Sequence, residues 1–467
     1  MNGKLVFGCV AVFAAGALLL AGSASAQTSG VVKVSNAIEG GVGGVSAARC
    51  GNTVVVGFAD AEPTRPNSYD GVAVSKNGGA SFSDRGTLPV LPVDPNFGSY
   101  FLGSNSDDPN RASNPSVACA NSDVFYYASI YSLPGDNCSN GVGQCTAISI
   151  STSTNGGTSW GLPVVASNIQ GSDVFDFVSP SMAVDATNPM RLYLAYIESD
   201  NDGFFGPPDC FGTVFSLVIV HSLDGGKTWT APLRVDRACP NATDNPELMG
   251  TLVSPNIAVS PGGKVYVAYE FVPSAFNGVP PPPNEIRFMR SLVGGATFSA
   301  PIKVSTDAIN NAAPKLGVDR TSGKRRGTIY LTWSGAPTGT YTDVLVSDSV
   351  NFGVSFSFPR PISPGSFTSG HFQANPVVAV DNDGQVAACF YETSTNQPTS
   401  SSTYVYRCAN SSNHAATWRL QPVAFSVPVG YDSLTTDFLT HHDGFFTAFE
   451  VQASGQRHVV GQFSDIN

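Results

Sequence analysis

The sequence predicts an all-β fold: a single ring of four-stranded antiparallel blades, a β-propeller. Three observations predict it. A short turn motif recurs six times, with starts 78, 69, 69, 58 and 62 residues apart, the length of one blade with its loops. An alternating strand pair recurs seven times, each pair reading as apolar strand, polar turn, aromatic-rich strand. Charged residues make up only 13% of the chain while Gly and Pro number 48 and 33, a composition suited to short strands and tight turns.

The turn motif is clearest in Ser222-Leu-Asp224-Gly225-Gly226-Lys-Thr228-Trp229. Related stretches begin at Ser75, Ser153, Ser291, Ser349 and Ser411, with Asn77, Asn155 and Asn351 in the place of Asp224 and Trp160 in that of Trp229. Gly supplies positive φ, the Asp or Asn oxygen accepts turn N–H groups, and the aromatic residue packs on the sheet. Asn serves as an acceptor but not as a general acid, and Val293 replaces the acidic position outright. The motif therefore reads as structural.

The strand pairs include 114–131, 179–198, 254–270 and 374–393, often opened by Asn-Pro or Ser-Pro, with looser versions from Ser46, Ala313 and Ser433. Their number favours seven blades, with six as the competing count. The last unit runs out after its third strand. The orphan stretch Val31–Ala37 resembles a fourth strand and is expected to complete the last blade, closing the ring and protecting the edges.

Residues 1–26 read as an export signal, with Lys4, an apolar stretch from Leu5 and an Ala24-Ser25-Ala26 cleavage site; residues 27–467 form the propeller. Ser23 stands where a lipoprotein signal needs Cys, and no later segment is long and apolar enough to span a bilayer. The expected location is outside the cytoplasm, extracellular or periplasmic, with no membrane partner after cleavage. Eight cysteines remain once Cys9 leaves with the signal. They are expected to pair as Cys389–Cys408, Cys210–Cys239, Cys138–Cys145 and Cys50–Cys119. A net charge of −11 without a basic run argues against nucleic acid.

In a four-stranded meander the turn motif lies on the rim opposite the approaches to each first strand and the exits from each second strand. Those loops form the mouth. The exits repeat an acid, at Asp60, Glu198, Glu270, Glu392 and Glu450. The approaches add Asp107, Asp108, Arg111, Asp176, Glu247, His371 and Tyr431. Such acids are either solvated singly or form a ring that binds Ca²⁺ or orients a sugar. No cofactor is required by any motif, Ca²⁺ is an admissible ligand, and a monomer is expected.

The repeated turn is similar to the Asp box of the sialidase superfamily, and blades carrying it cover nearly all of residues 27–467. The resemblance implies a propeller shared by hydrolases and non-enzymatic binders. Family sialidases imply a Tyr nucleophile paired with Glu, an acid/base Asp, and three Arg that clamp the sugar carboxylate. Here Tyr431 matches the late Tyr, Glu247 or Glu270 its partner, and Asp107 or Asp108 the acid. The arginines do not carry over: Arg111 alone sits in a mouth loop, with Arg65 near a second-strand exit. Two functions follow. One is a secreted module that binds glycan or an extracellular protein, with Arg111, Asp176, His371, Glu198, Glu392 and Glu450 as ligand-facing groups. The other is a glycoside hydrolase, sialidase-like or acting on other sugars.

Overall fold

The computed structural model describes residues 31–36, 44–60, 69–89, 101–102, 115–134, 144–167, 175–200, 210, 212–242, 245, 247–275, 280–309, 312–337, 341–363, 371–396, 402–421, 425–428, 436–441, 444–453 and 456–465. All regular structure among them is antiparallel sheet. Blade 1 is Val45–Cys50, Thr53–Asp60, Tyr69–Ser75 and Ser83–Thr87. Blade 2 has a first strand in two pieces, Phe101–Leu102 and Ser116–Cys119, then Phe125–Pro134, Gln144–Ser153 and Val164–Val165. Blade 3 is Phe175–Val184, Leu192–Asp200, Val214–Ser222 and Leu233–Ala238; blade 4 is Gly250–Val259, Val265–Pro273, Asn284–Ser291 and Ile302–Ala308. Blade 5 is Lys315–Val318, Ile329–Gly335, Asp343–Ser349 and Arg360–Pro361. Blade 6 is Phe372–Val380, Val386–Thr393 and Thr403–Ser411, with Arg419–Leu420 and Phe425–Pro428 sharing the outer edge.

The last unit, Thr436–His441, Gly444–Ala453 and Gln456–Asp465, takes its fourth strand from Val31–Lys33, in the register Val31↔Gln462 and Lys33↔Val460. The N-terminal strand thus closes the ring, as its sequence predicts. The expectation of seven separate blades needs one correction: the strands form six sheets. Blades 4 and 5 merge through a single bridge, Ala308↔Gly335, because Gly335 has no side chain to hold the two backbones apart. The first strands still contact one another in a closed circuit from blade 1 to the last unit and back.

Apolar clusters fill the seams between blades. Leu192, Leu194 and Tyr196 pack toward blade 2, while Tyr193, Ala195 and Ile197 of the same strand pack toward blade 4. Period-two alternation here puts apolar residues on both faces, because both faces are interior.

The Ser-Pro and Asn-Pro dipeptides have a structural meaning that the sequence did not disclose. Ser179, Ser254, Ala313 and Asn375, each just before a proline, hold φ between 48° and 55°. A register shift follows at that point in blades 3, 4 and 6. The residue after the proline then reaches the next blade: Ser116 Oγ accepts Met182 N at 2.9 Å, Ser181 Oγ accepts Ile257 N at 3.1 Å and Asn256 Oδ1 accepts Leu316 N at 2.8 Å. Ser46 Oγ does the same for Val117 N at 3.0 Å. The bulge costs backbone strain of about 1 kcal/mol each and gains a bonded ring around the axis.

The repeated turns are hydrogen-bonded in the same way. Ser222 Oγ donates to Asp224 Oδ1 (2.8 Å) and accepts Gly226 N (2.9 Å). Asp224 accepts Thr228 N at 2.9 Å and Thr228 Oγ1 at 2.6 Å, which holds its carboxyl down to about 2. Asn77, Asn155 and Asn351 repeat the side-chain acceptor role, and Trp160 and Trp229 donate to Gly157 O and Gly226 O. The turns bond to the first-to-second-strand turns, as in Gly225 N to Met190 O at 3.0 Å, so both occupy one rim. Disulfides join Cys50–Cys119, Cys210–Cys239 and Cys389–Cys408. Cys138 lies outside the described residues, and with it the fourth expected pair.

Candidate functional site: the mouth end of the blade seams

Second strands end at the mouth, and three of the acids there, Glu198, Glu270 and Glu392, are engaged with neighbouring groups. Glu198 is 2% exposed and binds Arg234 through both oxygens, at 2.6 and 2.9 Å. Burial raises its pKa while the guanidinium pulls it down. Glu392 accepts Arg407 Nε at 2.6 Å and Gln373 Nε2 at 3.0 Å. Glu270 is 0% exposed; it accepts Asn284 Nδ2 at 2.7 Å and, across the seam, Ala312 N at 2.9 Å. With no cation against it, burial pushes Glu270 up to about 7. It lies inside the seam between blades 4 and 5, without solvent contact in this structure. Alternation explains this: Glu270 lies on the same strand face as Tyr266 and Ala268, which fill that seam.

Glu247, the other candidate partner, is exposed in the approach to blade 4, where its backbone N bonds Asn245 Oδ1 at 3.0 Å. Asp60 is half-buried at the end of its strand. Asp176 and Glu450 belong to strands Phe175–Val184 and Gly444–Ala453, but their side chains lie outside the described residues. Asp107, Asp108, Arg111 and Tyr431 also lie outside them.

Among the approach residues, His371 has its side chain tied into a network. Its Nε2 lies 2.8 Å from Asp343 Oδ1, with the two residues 5% and 0% exposed. Tyr341 stacks on the imidazole at 6.1 Å between ring centres and 20° between planes. Two residues on, Gln373 accepts Val344 N at 3.0 Å and donates to Glu392, continuing the network along the seam between blades 5 and 6. The Asp343 carboxylate orients the imidazole through Nε2. Burial raises the Asp343 pKa against the pull of His371.

The seam between blades 3 and 4 holds a further cluster. Tyr269 OH donates to Asp236 at 2.6 Å, Arg287 reaches Asp236 and Glu285 at 3.4 and 2.9 Å, and Lys303 reaches Glu285 at 2.7 Å. Arg287 also lies 3.7 Å over the Phe271 ring. Sequence reasoning missed Asp343, Tyr341, Arg234, Arg407 and this cluster. Third-strand entrances and fourth strands carry no motif; the cue available was an isolated charge inside an alternating apolar strand, as in Arg407 of Thr403–Ser411.

Between the first strands runs an axial cavity of about 500 Å³, whose charged lining residues are Arg49, Lys315 and Arg320. Among the described residues no three His, Cys, Asp or Glu side chains gather as a metal site.

These features define an all-β propeller with polar clasps at the mouth end of its seams. No protein-family model matches the chain, and no curated protein sequence matches it. Solved structures do. An ulvan lyase, a polysaccharide lyase, aligns with TM-score 0.54 and 11% identity over 91% of this chain and 93% of its own. A variant of an α-L-arabinofuranosidase from Fusarium graminearum aligns with TM-score 0.50 and 13% identity over 94% and 98%. A Hadza microbial sialidase is similar over 86% of this chain and 74% of its own, at 14% identity and a TM-score of only 0.46. The first two likenesses establish the propeller architecture and nothing finer.

Proposed function

We propose that the chain is an exported, sialidase-like Asp-box propeller that binds glycan at its mouth and lacks the arginine set of a sialidase. What supports this reading most is the fate of the second-strand acids. Glu198, Glu270 and Glu392 are consumed by Arg234, by Asn284 with Ala312, and by Arg407 with Gln373. Two-carboxylate hydrolysis needs a pair of free carboxyls about 5–5.5 or 6.5–9.5 Å apart. Among the described residues these three supply none. The similar propellers that act on carbohydrate, an ulvan lyase and an arabinofuranosidase, favour a sugar ligand over a protein. The three disulfides favour an oxidising compartment.

A carbohydrate-active enzyme is the second reading, favoured by the His371–Asp343 contact at 2.8 Å beneath Tyr341. It uses His371 as a base and takes substrate across the seam between blades 5 and 6. Residues 27–467 screened on glycan arrays and on fluorogenic glycosides and uronic-acid polymers, with and without chelator, separate the two. Saturable glycan binding without turnover supports the first. Turnover abolished by His371→Ala supports the second, and turnover abolished by Tyr431→Phe restores a sialidase-type mechanism. No sugar binding and no turnover overturns both.

A further inference from the structure

The rim opposite the mouth carries seven of the eleven large apolar side chains that are exposed among the described residues. Every large apolar side chain that is exposed among the described residues lies in a repeated turn, in the Met190 turn, or along a fourth strand and its entry. Six occupy the turns of blades 3, 4 and 5: Leu223 (62% exposed), Leu292 (54%), Val293 (60%), Val350 (61%), Phe352 (42%) and Val354 (57%). The turn needs its Ser, Asp or Asn, and Gly residues; it does not need Leu, Val or Phe at the tip. In blade 4 an apolar Val293 has displaced the acceptor itself, and the turn keeps the bonds that Ser291 Oγ accepts from Gly295 N at 2.9 Å and from Val293 N at 3.4 Å.

The same rim is basic. Arg191, Lys227, Lys324, Arg325 and Arg326 are exposed in the turns of blades 3 and 5. Lys264 and Arg290 of blade 4 reach over to Phe352: the ammonium lies 4.2 Å from its ring centre, and Arg290 Nη1 donates to its carbonyl at 2.9 Å. These contacts make the strip continuous between blades. Of the acids nearby, Asp348 is paired with Arg360 at 2.7 Å, and Asp185 and Asp319 are buried under their turns. Asp224 stays ionised in its own turn and Asp383 is exposed in the adjoining turn of blade 6, and on this rim exposed cations outnumber exposed acids across blades 3 to 5. A chain of net charge −11 has therefore gathered cations on a rim where most of its exposed apolar side chains, among the described residues, protrude.

We propose that this rim, across blades 3 to 5, docks on an anionic lipid bilayer. Cations alone would serve any polyanion. Protruding Leu, Val and Phe gain nothing from a hydrated polysaccharide, whereas the headgroup boundary of a bilayer takes up both kinds of group at once. The acidic remainder of the surface is repelled from such a bilayer, which fixes the orientation and turns the mouth away from the membrane. The sequence-based expectation of no membrane partner rests on the missing lipidation Cys at Ser23 and the lack of a later spanning segment. A peripheral contact needs no such segment, because the contributing residues come from three blades and meet only in the folded ring.

The test uses residues 27–467, which hold every described strand and lack the apolar leader. Flotation with phosphatidylcholine vesicles is compared with vesicles containing roughly one third phosphatidylglycerol. Anionic vesicles are expected to bind at least about tenfold more tightly, with binding lost at high salt. Lys324→Ser/Arg325→Ser/Arg326→Ser is expected to weaken binding on the order of 100-fold, about a factor of five per cation. Leu223→Ser/Leu292→Ser/Val293→Ser is expected to weaken it roughly tenfold with every charge retained. Equal binding to both vesicles overturns the proposal. So does an apolar variant that binds like the parent, the outcome of a site for soluble polyanions. Leu223→Trp provides a check independent of loss-of-function variants: brominated anionic lipid must quench its added emission, and a failure to quench refutes docking by this rim.

Discussion

Glu270→Gln gives a test of the seam assignment whose sign depends on pH. Glu270 is 0% exposed, has no cationic partner among the described residues, and is raised from 4.5 to about 7 by burial, against the pull of Asn284 and Ala312 N. The folded state thus holds this proton more tightly than the unfolded state. Below about pH 4.5 both states are protonated and the group is neutral in the balance. As pH rises from 4.5 to about 7 the unfolded chain ionises first, and stability falls by about 1.4 kcal/mol per pH unit. Above 7 the loss is complete, at about 3 kcal/mol. Glutamine is neutral at every pH, and its amide oxygen can still accept Ala312 N. The variant should therefore gain 2–3 kcal/mol on wild type between pH 5 and pH 8, roughly the linkage expected from this shift. Urea denaturation followed by tryptophan fluorescence at the two pH values measures it. A wild-type-minus-variant difference that is the same at both would falsify the placement of an unpaired carboxyl in the seam. Glu270→Ala should instead be destabilising at both, by about 1–3 kcal/mol, because Asn284 and Ala312 N lose their acceptor.

Other consequences follow from the same contacts. Arg234→Met strands Glu198 without its cation and should cost about 3 kcal/mol at pH 7, with the deficit shrinking as acid protonates the carboxyl; a pH-independent loss contradicts the pairing. Ser222→Ala removes the oxygen that accepts Gly226 N and should cost about 1–2 kcal/mol in denaturant titrations. The Cys50–Cys119 disulfide spans 69 residues and links blades 1 and 2, whereas Cys389–Cys408 spans 19 within one hairpin. Replacing both cysteines by Ser should cost about 4 kcal/mol for the first pair and about 3 for the second, so the reverse order of midpoints counts against loop-closure entropy as the cause.

Much of the fold is legible in the chain because its determinants are local. A turn that needs Ser222, Asp224 and two Gly at positive φ writes itself into eight consecutive residues, and each copy marks a third-to-fourth-strand connection. Alternation in 179–198 and 254–270 gives the first two strands of blades 3 and 4. Even closure was readable, since Val31–Lys33 has the pattern of a fourth strand and no partner nearby in sequence. The mouth was legible only as a set of acids. Glu198, Glu270 and Glu392 look alike in sequence, each an acid beyond an aromatic residue, yet they have different neighbours in space.

The sequence by itself determined that this protein is a ring of repeated β-meanders, which rim each turn occupies, and which strand closes the circle. Hydrogen-bonding turns and period-two patterning act over a few residues, so one chain segment suffices to specify them. Only the tertiary structure decided that one acid is paired with Arg234, another buried against a backbone N–H of the next blade, and a histidine matched to Asp343, 28 residues earlier in the chain. It also decided that the exposed Leu, Val and Phe of three blades share one basic rim. Charge and burial are properties of neighbours in space, and in a propeller those neighbours come from adjacent blades, tens of residues away along the chain.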